Sequence, residues 1–269
     1  MIDITDCLRG EVLYGNDFGD DDIAAWYRDE QEGYANLGAK NADAYAYVYH
    51  AWNRLLGFNH VPLASIRRAL GFGSAYGDEM LPIIGKIDHI TIVDPSAAFA
   101  RPTVHGKPAK YVKPAPNGRL ALNCNAFDLI TCLGVLHHIP NVSFVVAELA
   151  RVLTPGGYLL LREPIVSMGD WRKPRRGLTK RERGIPLHIL RTFINENGLE
   201  VVNEALCGFP ATPRLFRWLR TDPYNSAALV LIDRLMCWLF RWNLNYHPTS
   251  PLQCLRPTSA FFVLRKKIR

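Results

Sequence analysis

Residues 127–164 read FDLITCLGVLHHIPNVSFVVAELARVLTPGGYLLLREP. Two short runs in it, FDLITCLG and YLLLREP, are apolar at nearly every position, as strands buried on both faces are. Between them, NVSFVVAELARVL places its apolar residues at helical spacing, and TPGG supplies a stop. Strand, helix and strand in this order predict two parallel strands joined by a crossover helix. Such a unit is stable only with helices on both faces of its sheet.

The alternation extends in both directions. Upstream, SIRRAL is a short strand candidate weakened by two arginines. A glycine turn follows, then a helix expected over roughly 76–85, the clean strand HITIVD and the weaker AKYVK. Downstream, PLHILRTFINENG begins with proline and ends at Gly198, as a helix does, and LEVVNEAL and SAFFVLRKK close the chain as strands. A doubly wound, mostly parallel sheet is predicted. Residues 20–57 are expected to be helical, beginning with acidic residues suited to a helix N-terminus and ending at Gly57. Tyr45, Tyr47 and Tyr49 alternate as in a strand, but length and alanine content favour a helix. This divides the chain into an N-terminal helical cap, 1–62, and a main domain, 63–269.

Residues 208–250 stand outside the alternation. About forty residues without a disulfide or metal staple are too few for an independent core. They are therefore expected to form a helical lid above the ends of the strands at 127–133 and 158–164, facing His137 and Glu163. Arg214, Arg217 and Arg220 would give that lid a basic rim. SAALVLIDRLMCWLFRW is apolar almost all round, with Asp233, Arg234 and Arg241 as its charges. Such a helix is buried, covers a pocket or lies on a membrane surface, so a peripheral membrane contact through 211–242 joins the expected partners.

With 269 residues and 48% hydrophobic composition, a full core is within reach. The net charge of +7 is unevenly placed: residues 1–43 are acidic, whereas 162–183 hold eight Lys/Arg against three Asp/Glu. That basic segment is either a solvated loop or a site for an anionic partner. The six cysteines are scattered, without a CxxC pair or a Cys/His cluster, so no metal site is expected. The acidic N-terminus lacks an apolar targeting core and no apolar run reaches about 18 residues. A reduced, cytoplasmic chain is the expectation.

The turn ALGFGSAYGDEM, 69–80, follows a strand candidate and precedes a helix candidate. Gly71, Phe72, Gly73 and Ser74 would let a ligand approach the backbone where free N–H groups point outward. A dinucleotide fingerprint needs a third glycine where Tyr76 stands. Asp94, followed by Pro95, ends the strand HITIVD, where an acid accepts both hydroxyls of a ribose. This placement suits NAD and S-adenosylmethionine equally.

Taken together, LGFGSAYG, VDPS and the block at 127–164 resemble the class I S-adenosylmethionine-dependent methyltransferases over roughly residues 64–207. The block is the specific part: FD leading into a strand, LHHI after it, the ELARVL helix and PGG before the next strand. SAFFVLRK resembles the antiparallel last strand of that fold. The resemblance implies a seven-stranded Rossmann-like methyltransferase sheet, and S-adenosylmethionine as cofactor. It places Leu133 and Gly134 at the cofactor's methionine end, with Gly71, Phe72, Gly73, Ser74, Asp94 and Pro95 along the rest. His137, His138 and Glu163 become candidate acid–base residues. Arg162, Trp171 and Arg172 become candidates for holding an anionic substrate. Tyr27 and Tyr34 lie in helices that fold over the cofactor in many relatives, or simply pack there.

The chain departs from the family pattern at Ala69 and Ala75, where an acid and a third glycine are usual. At 114–118, PAPNG replaces the region of an adenine-binding acid. These losses keep a second hypothesis open, a non-catalytic binding protein of the same fold. A nucleotide-dependent oxidoreductase ranks third. The expected substrate is small or medium-sized and anionic, such as a sugar nucleotide or a lipid-linked glycan. DNA is not an expected partner, and RNA is disfavoured because no RNA-binding module accompanies the basic segment. The sequence leaves the oligomeric state open.

Overall fold

The computed structural model describes residues 3–36, 45–171, 173–218 and 222–268, with the side chains of 215–218 excepted. Its centre is an eight-stranded sheet. In chain order the strands are β1 (Arg68–Phe72), β2 (His89–Val93), β3 (Thr103–Val104), β4 (Lys107–Val112), β5 (Phe127–Leu133), β6 (Leu153–Pro164), β7 (Leu199–Cys207) and β8 (Ser259–Lys266). They lie side by side as β3-β4-β2-β1-β5-β6-β8-β7. From β4 to β6 every pairing is parallel, while β8 runs antiparallel between β6 and β7. The strand beyond the seven expected is the two-residue β3, folded back on β4.

Side-chain alternation along β6 and β8 explains why both faces are dry. Leu159, Leu161 and Phe262 enter one core, which is covered by α4 (Val142–Val152) and α5 (Leu187–Glu196). Leu160, Phe261 and Val263 enter the other, under α3 (His50–Leu56) and the 3-10 segment Asp78–Lys86. In α4, Val142, Val145, Val146, Leu149 and Val152 form the buried stripe that its spacing required.

Several local expectations are corrected. The arginines of SIRRAL do not weaken β1, because Asp128 at the start of β5 accepts the backbone N–H of Arg67 and Arg68 and pairs with the Arg68 guanidinium at 2.9 Å. The helix expected over 76–85 is the 3-10 segment Asp78–Lys86, because Pro82 removes a donor inside it. TPGG does not separate α4 from the next strand; β6 begins at Leu153, and the ladder shifts register between Phe127 and Leu129. The cap holds α1 (Ile4–Arg9), α2 (Asp20–Glu30) and α3, but Tyr45, Tyr47 and Tyr49 lie in irregular chain rather than a helix. The part of that expectation at 37–44 lies outside the described residues.

The insertion contains α6 (Ala211–Trp218), the 3-10 turn Pro223–Asn225 and α7 (Ala227–Leu239). Val230, Asp233 and Cys237 turn α7 inward onto β7 and α3. The α7 helix is therefore a sheet cover beside α3 and not a lid over His137. The segment reaches the central cavity through Gly208 and Tyr224. Of the expected basic rim, Arg214 is exposed on α6, whereas Arg220 and the side chain of Arg217 lie outside the described residues.

Candidate functional site

A cavity of about 630 Å³ opens at the carboxyl ends of the parallel strands, where loops leaving β1, β2, β5 and β6 meet the cap. Of the expected cofactor residues, Phe72, Gly73, Ser74, Asp94, Pro95, Leu133 and Gly134 line it, whereas Gly71 does not.

The turn after β1 is held by the chain's own packing. Gly73 has φ +64°, donates its N–H to the Val93 carbonyl at 2.7 Å, and a Cβ there would fall 2.4 Å from Val135. A Cβ on Gly71 would meet the Ser74 hydroxyl, also at 2.4 Å. A branched side chain at 73 would thus strike Val135 before any ligand. Beside the turn, the two Asp94 oxygens accept the N–H of Ala75 at 3.1 Å and of Ser96 at 3.0 Å. Each oxygen keeps a further lone pair for a hydroxyl. Burial pushes the Asp94 carboxyl up to about 6 against those two bonds. Across the cavity the Tyr27 hydroxyl is buried and has no hydrogen-bond partner among the described residues. An acid and an orphaned hydroxyl facing the same space fit the ribose end of a nucleoside.

At the other end, Gly134 stands between two candidates. Its φ is +80°, and a Cβ there would lie 3.6 Å from Arg162 Nη2 and 3.7 Å from His137 Cε1. Arg162 is 8% exposed and lies over the rings of Tyr49 and Trp52, 4.3 and 4.8 Å from their centroids. Its nitrogens reach only neutral oxygens, Asn53 Oδ1 at 3.4 Å and the Leu133 carbonyl at 3.3 Å. No carboxylate comes within ion-pair distance of it among the described residues. A buried guanidinium without a counter-charge can receive an anion.

Glu163, the next residue of β6, faces the opposite way. It is fully buried, accepts the N–H of Val135, Leu136 and His137, and meets His137 Nδ1 at 2.8 Å. Glu163 makes no ion pair with Arg162, because neighbours on a strand point to opposite sides. Glu163 does not line the cavity either, so it positions His137 and is not itself an acid or base toward substrate. A hydrogen on Nδ1 leaves His137 Nε2 as an acceptor. Burial, aided by the neighbouring His138, pushes the His137 pKa down and keeps the ring neutral. His138 also lines the cavity, with Nδ1 held by Glu30 at 2.9 Å. His137, His138 and Glu182 bring ligand atoms within 4.8 Å of one another, and the Nδ1 atom of each histidine meets a carboxylate.

Trp171 is not at the cavity; it is buried and stacked on Tyr14, 5.4 Å between centroids. Arg172 lies outside the described residues. Much of the basic segment is consumed internally. Arg183 donates to the carbonyls of Tyr14, Leu136, His137, Ile139 and Pro140, Arg175 to those of Met168 and Glu182, and Lys180 and Arg181 pair with Asp29.

The sequence reading missed Glu79, Trp52 and Tyr224. Glu79 is buried in the cavity wall, accepts the Thr131 hydroxyl at 3.0 Å, and is pushed by burial up to about 7. Trp52 and Tyr224 stack at 4.1 Å, and the buried Trp52 Nε1 has no partner among the described residues. No motif marks these three. Only the fold brings residues 52, 79 and 224 to one wall.

Residues 69–161 match the methyltransferase domain family. A ubiquinone biosynthesis O-methyltransferase of Thiobacillus denitrificans is 27% identical over 89 residues, which is 32% of this chain and 38% of that protein. Among solved structures, an S-adenosylmethionine-dependent methyltransferase from Mesorhizobium loti superposes with TM-score 0.54 at 15% identity, over 80% of this chain and 98% of that one. The cyclase SpnF superposes with TM-score 0.57 at 16% identity, over 92% and 96%. At such identities the two superpositions establish the fold. No helix among the described residues is long and apolar enough to cross a membrane.

Proposed function

We propose that the chain, whose residues 69–161 match the methyltransferase domain family, is an S-adenosylmethionine-dependent enzyme that methylates an oxygen on a small anionic substrate with an apolar body. The observation that carries the substrate class is Arg162, a buried cation open to the cavity and walled by aromatic rings. A phosphate or carboxylate meets the guanidinium, while Tyr49, Trp52 and Tyr224 flank the rest of the molecule. This class includes the lipid-linked glycans and sugar nucleotides expected from the sequence. It also includes acidic phenols, in keeping with the weak relative named for ubiquinone biosynthesis.

Bound S-adenosylmethionine would supply a methyl group already activated on a sulfonium, with the bonding electron pair remaining on sulfur. Asp94 and the Tyr27 hydroxyl would hold the ribose, and Leu133 and Gly134 would border the methionine end. His137 Nε2 takes the proton from the substrate oxygen, and Glu163 fixes the tautomer that makes this possible. The cap closes over the site through the Trp26 indole N–H, which donates to the His138 carbonyl at 2.7 Å.

Ala69 favours a second reading, a binding protein without turnover, because the family's usual acid is absent there. One experiment separates the two. Transfer of labelled methyl is measured across a panel of carboxylated phenols, sugar nucleotides and polyprenyl phosphates, for wild type and Arg162→Gln. Turnover of an anionic member, with KM raised at least about tenfold by the substitution and cofactor affinity retained, supports the proposal. Cofactor binding without turnover of any member supports the second reading. Equal KM values for the two proteins refute the role of Arg162.

A further inference from the structure

We propose that the outward face of α7 docks the protein on an anionic lipid bilayer. Leu231, Ile232, Leu235, Trp238 and Leu239 point outward from this helix, each 46–56% exposed. Trp242, in the turn that follows, is 69% exposed. Leu252 and Leu255 continue the patch, because the Asn243 side chain donates to both of their carbonyls at 2.8 Å. Folding does not require this surface, since Val230, Asp233 and Cys237 already seat the helix on β7 and α3. A contiguous apolar patch of this kind marks an interaction site.

Charge selects the occupant. The one acid of α7, Asp233, is turned inward and accepts the N–H groups of Gly208 and Phe209 at 2.8 Å. The charges left on the outward face are Arg234 and Arg241, both exposed. Arg241 lies over the Trp238 ring, 5.3 Å from its centroid. Leucines flanked by tryptophan and arginine match the layered chemistry of a bilayer surface: acyl chains, the amphipathic interface and anionic headgroups. A second copy of the chain would set arginines against arginines across the same seam, with no carboxylate on the outward face of α7 among the described residues to answer them. The helix has 13 residues, about 20 Å, so it lies in the interface and does not cross it. Its N-terminal end follows directly from the turn carrying Tyr224, a wall of the cavity, so docking would bring the lipid surface beside the site.

The docking surface does not depend on methyl transfer, and its test needs no turnover. The full chain is sedimented with vesicles of phosphatidylcholine alone and with about one third phosphatidylglycerol, at low and high salt. Association with the anionic vesicles is expected, and it weakens at least about tenfold without phosphatidylglycerol or at high salt. Arg234→Gln with Arg241→Gln should weaken it about 30-fold, the product of two headgroup charges. Leu235→Glu with Trp238→Glu should abolish it while S-adenosylmethionine affinity stays unchanged. If that pair fails to fold, Leu231→Ser and the arginine pair carry the test. Wild type that ignores vesicles of every composition overturns the proposal. So does a dimer in solution that the same substitutions dissolve, which would assign the face to a second copy.

Discussion

Asp94→Asn separates the electrostatics of the cofactor site from its shape. Asp94 has an ordinary pKa of 3.8, raised by burial to about 6 in the folded protein. The folded chain therefore holds this proton more tightly than the unfolded chain. The resulting stabilisation is fully present below pH 3.8 and is lost as pH rises through about 6. It amounts to about 3 kcal/mol at most, from the cost of each tenfold change in proton affinity. Asparagine removes that dependence, so the stability of the cofactor-free variant should be flatter between pH 4 and 8 than that of wild type. Cofactor affinity should move the other way. With an ionised carboxylate accepting the ribose hydroxyls, wild type should lose about tenfold in affinity between pH 7.5 and pH 5 as the acid protonates. The variant should be weaker at pH 7.5 by about 1.5–3 kcal/mol and nearly insensitive to pH. Chemical denaturation and titration calorimetry across this range measure both quantities. Identical pH profiles for the two proteins would refute the assignment of Asp94 as the ribose acceptor.

Three further substitutions address other parts of the site. His137→Ala should lower kcat about 10²–10⁴-fold with little change in cofactor affinity, and wild-type turnover should persist as pH falls below 6.5, because burial keeps the ring neutral; a variant with normal kcat excludes His137 as the base. Gly73→Ala should cost about 1–3 kcal/mol in urea unfolding, from the positive φ and the contact with Val135, and Val135→Ala should recover only the contact part; unchanged stability would contradict the turn geometry. Arg183→Lys should cost about 3 kcal/mol or more, because a single ammonium cannot replace the fork that holds carbonyls from the N-terminal segment and the 136–140 loop, and a wild-type melting curve would show those bonds to be dispensable.

Where local pattern and tertiary requirement agreed, the sequence was readable. FDLITCLG, YLLLREP and the α4 stripe announced a parallel sheet because residues buried on both faces have no polar alternation to hide behind. Gly73, Asp94 and Gly134 could be expected at the cavity because a turn or strand end fixes their position relative to the fold. The irregular chain at Tyr45–Tyr49 was not readable. Alanines and length outweighed alternation there, whereas aromatic packing against Tyr76, Trp52 and Tyr224 decided the conformation. The basic segment misled for a related reason. Counting charges could not reveal that Arg175, Arg181 and Arg183 bond to the protein itself, whereas Arg162 alone of these four turns to the cavity.

The missing acid at Ala69 has a different meaning in three dimensions than in the sequence. Ala69 is fully buried within β1 and cannot itself present a group to ligand. A carboxylate nevertheless stands in the cavity wall nearby: Glu79, ten positions later, bonded to Thr131 of β5. It reaches this wall because the 3-10 segment Asp78–Lys86 folds back over β1 and β5 on the α3 side of the sheet. The Ser74 hydroxyl, which donates to Glu79, links it directly to the glycine turn. The turn and a buried acid are therefore still coupled, although the acid arrives from after the turn and not before it. With burial raising it to about 7, Glu79 gains or loses its charge within the physiological range, unlike a strand-borne acid of ordinary pKa.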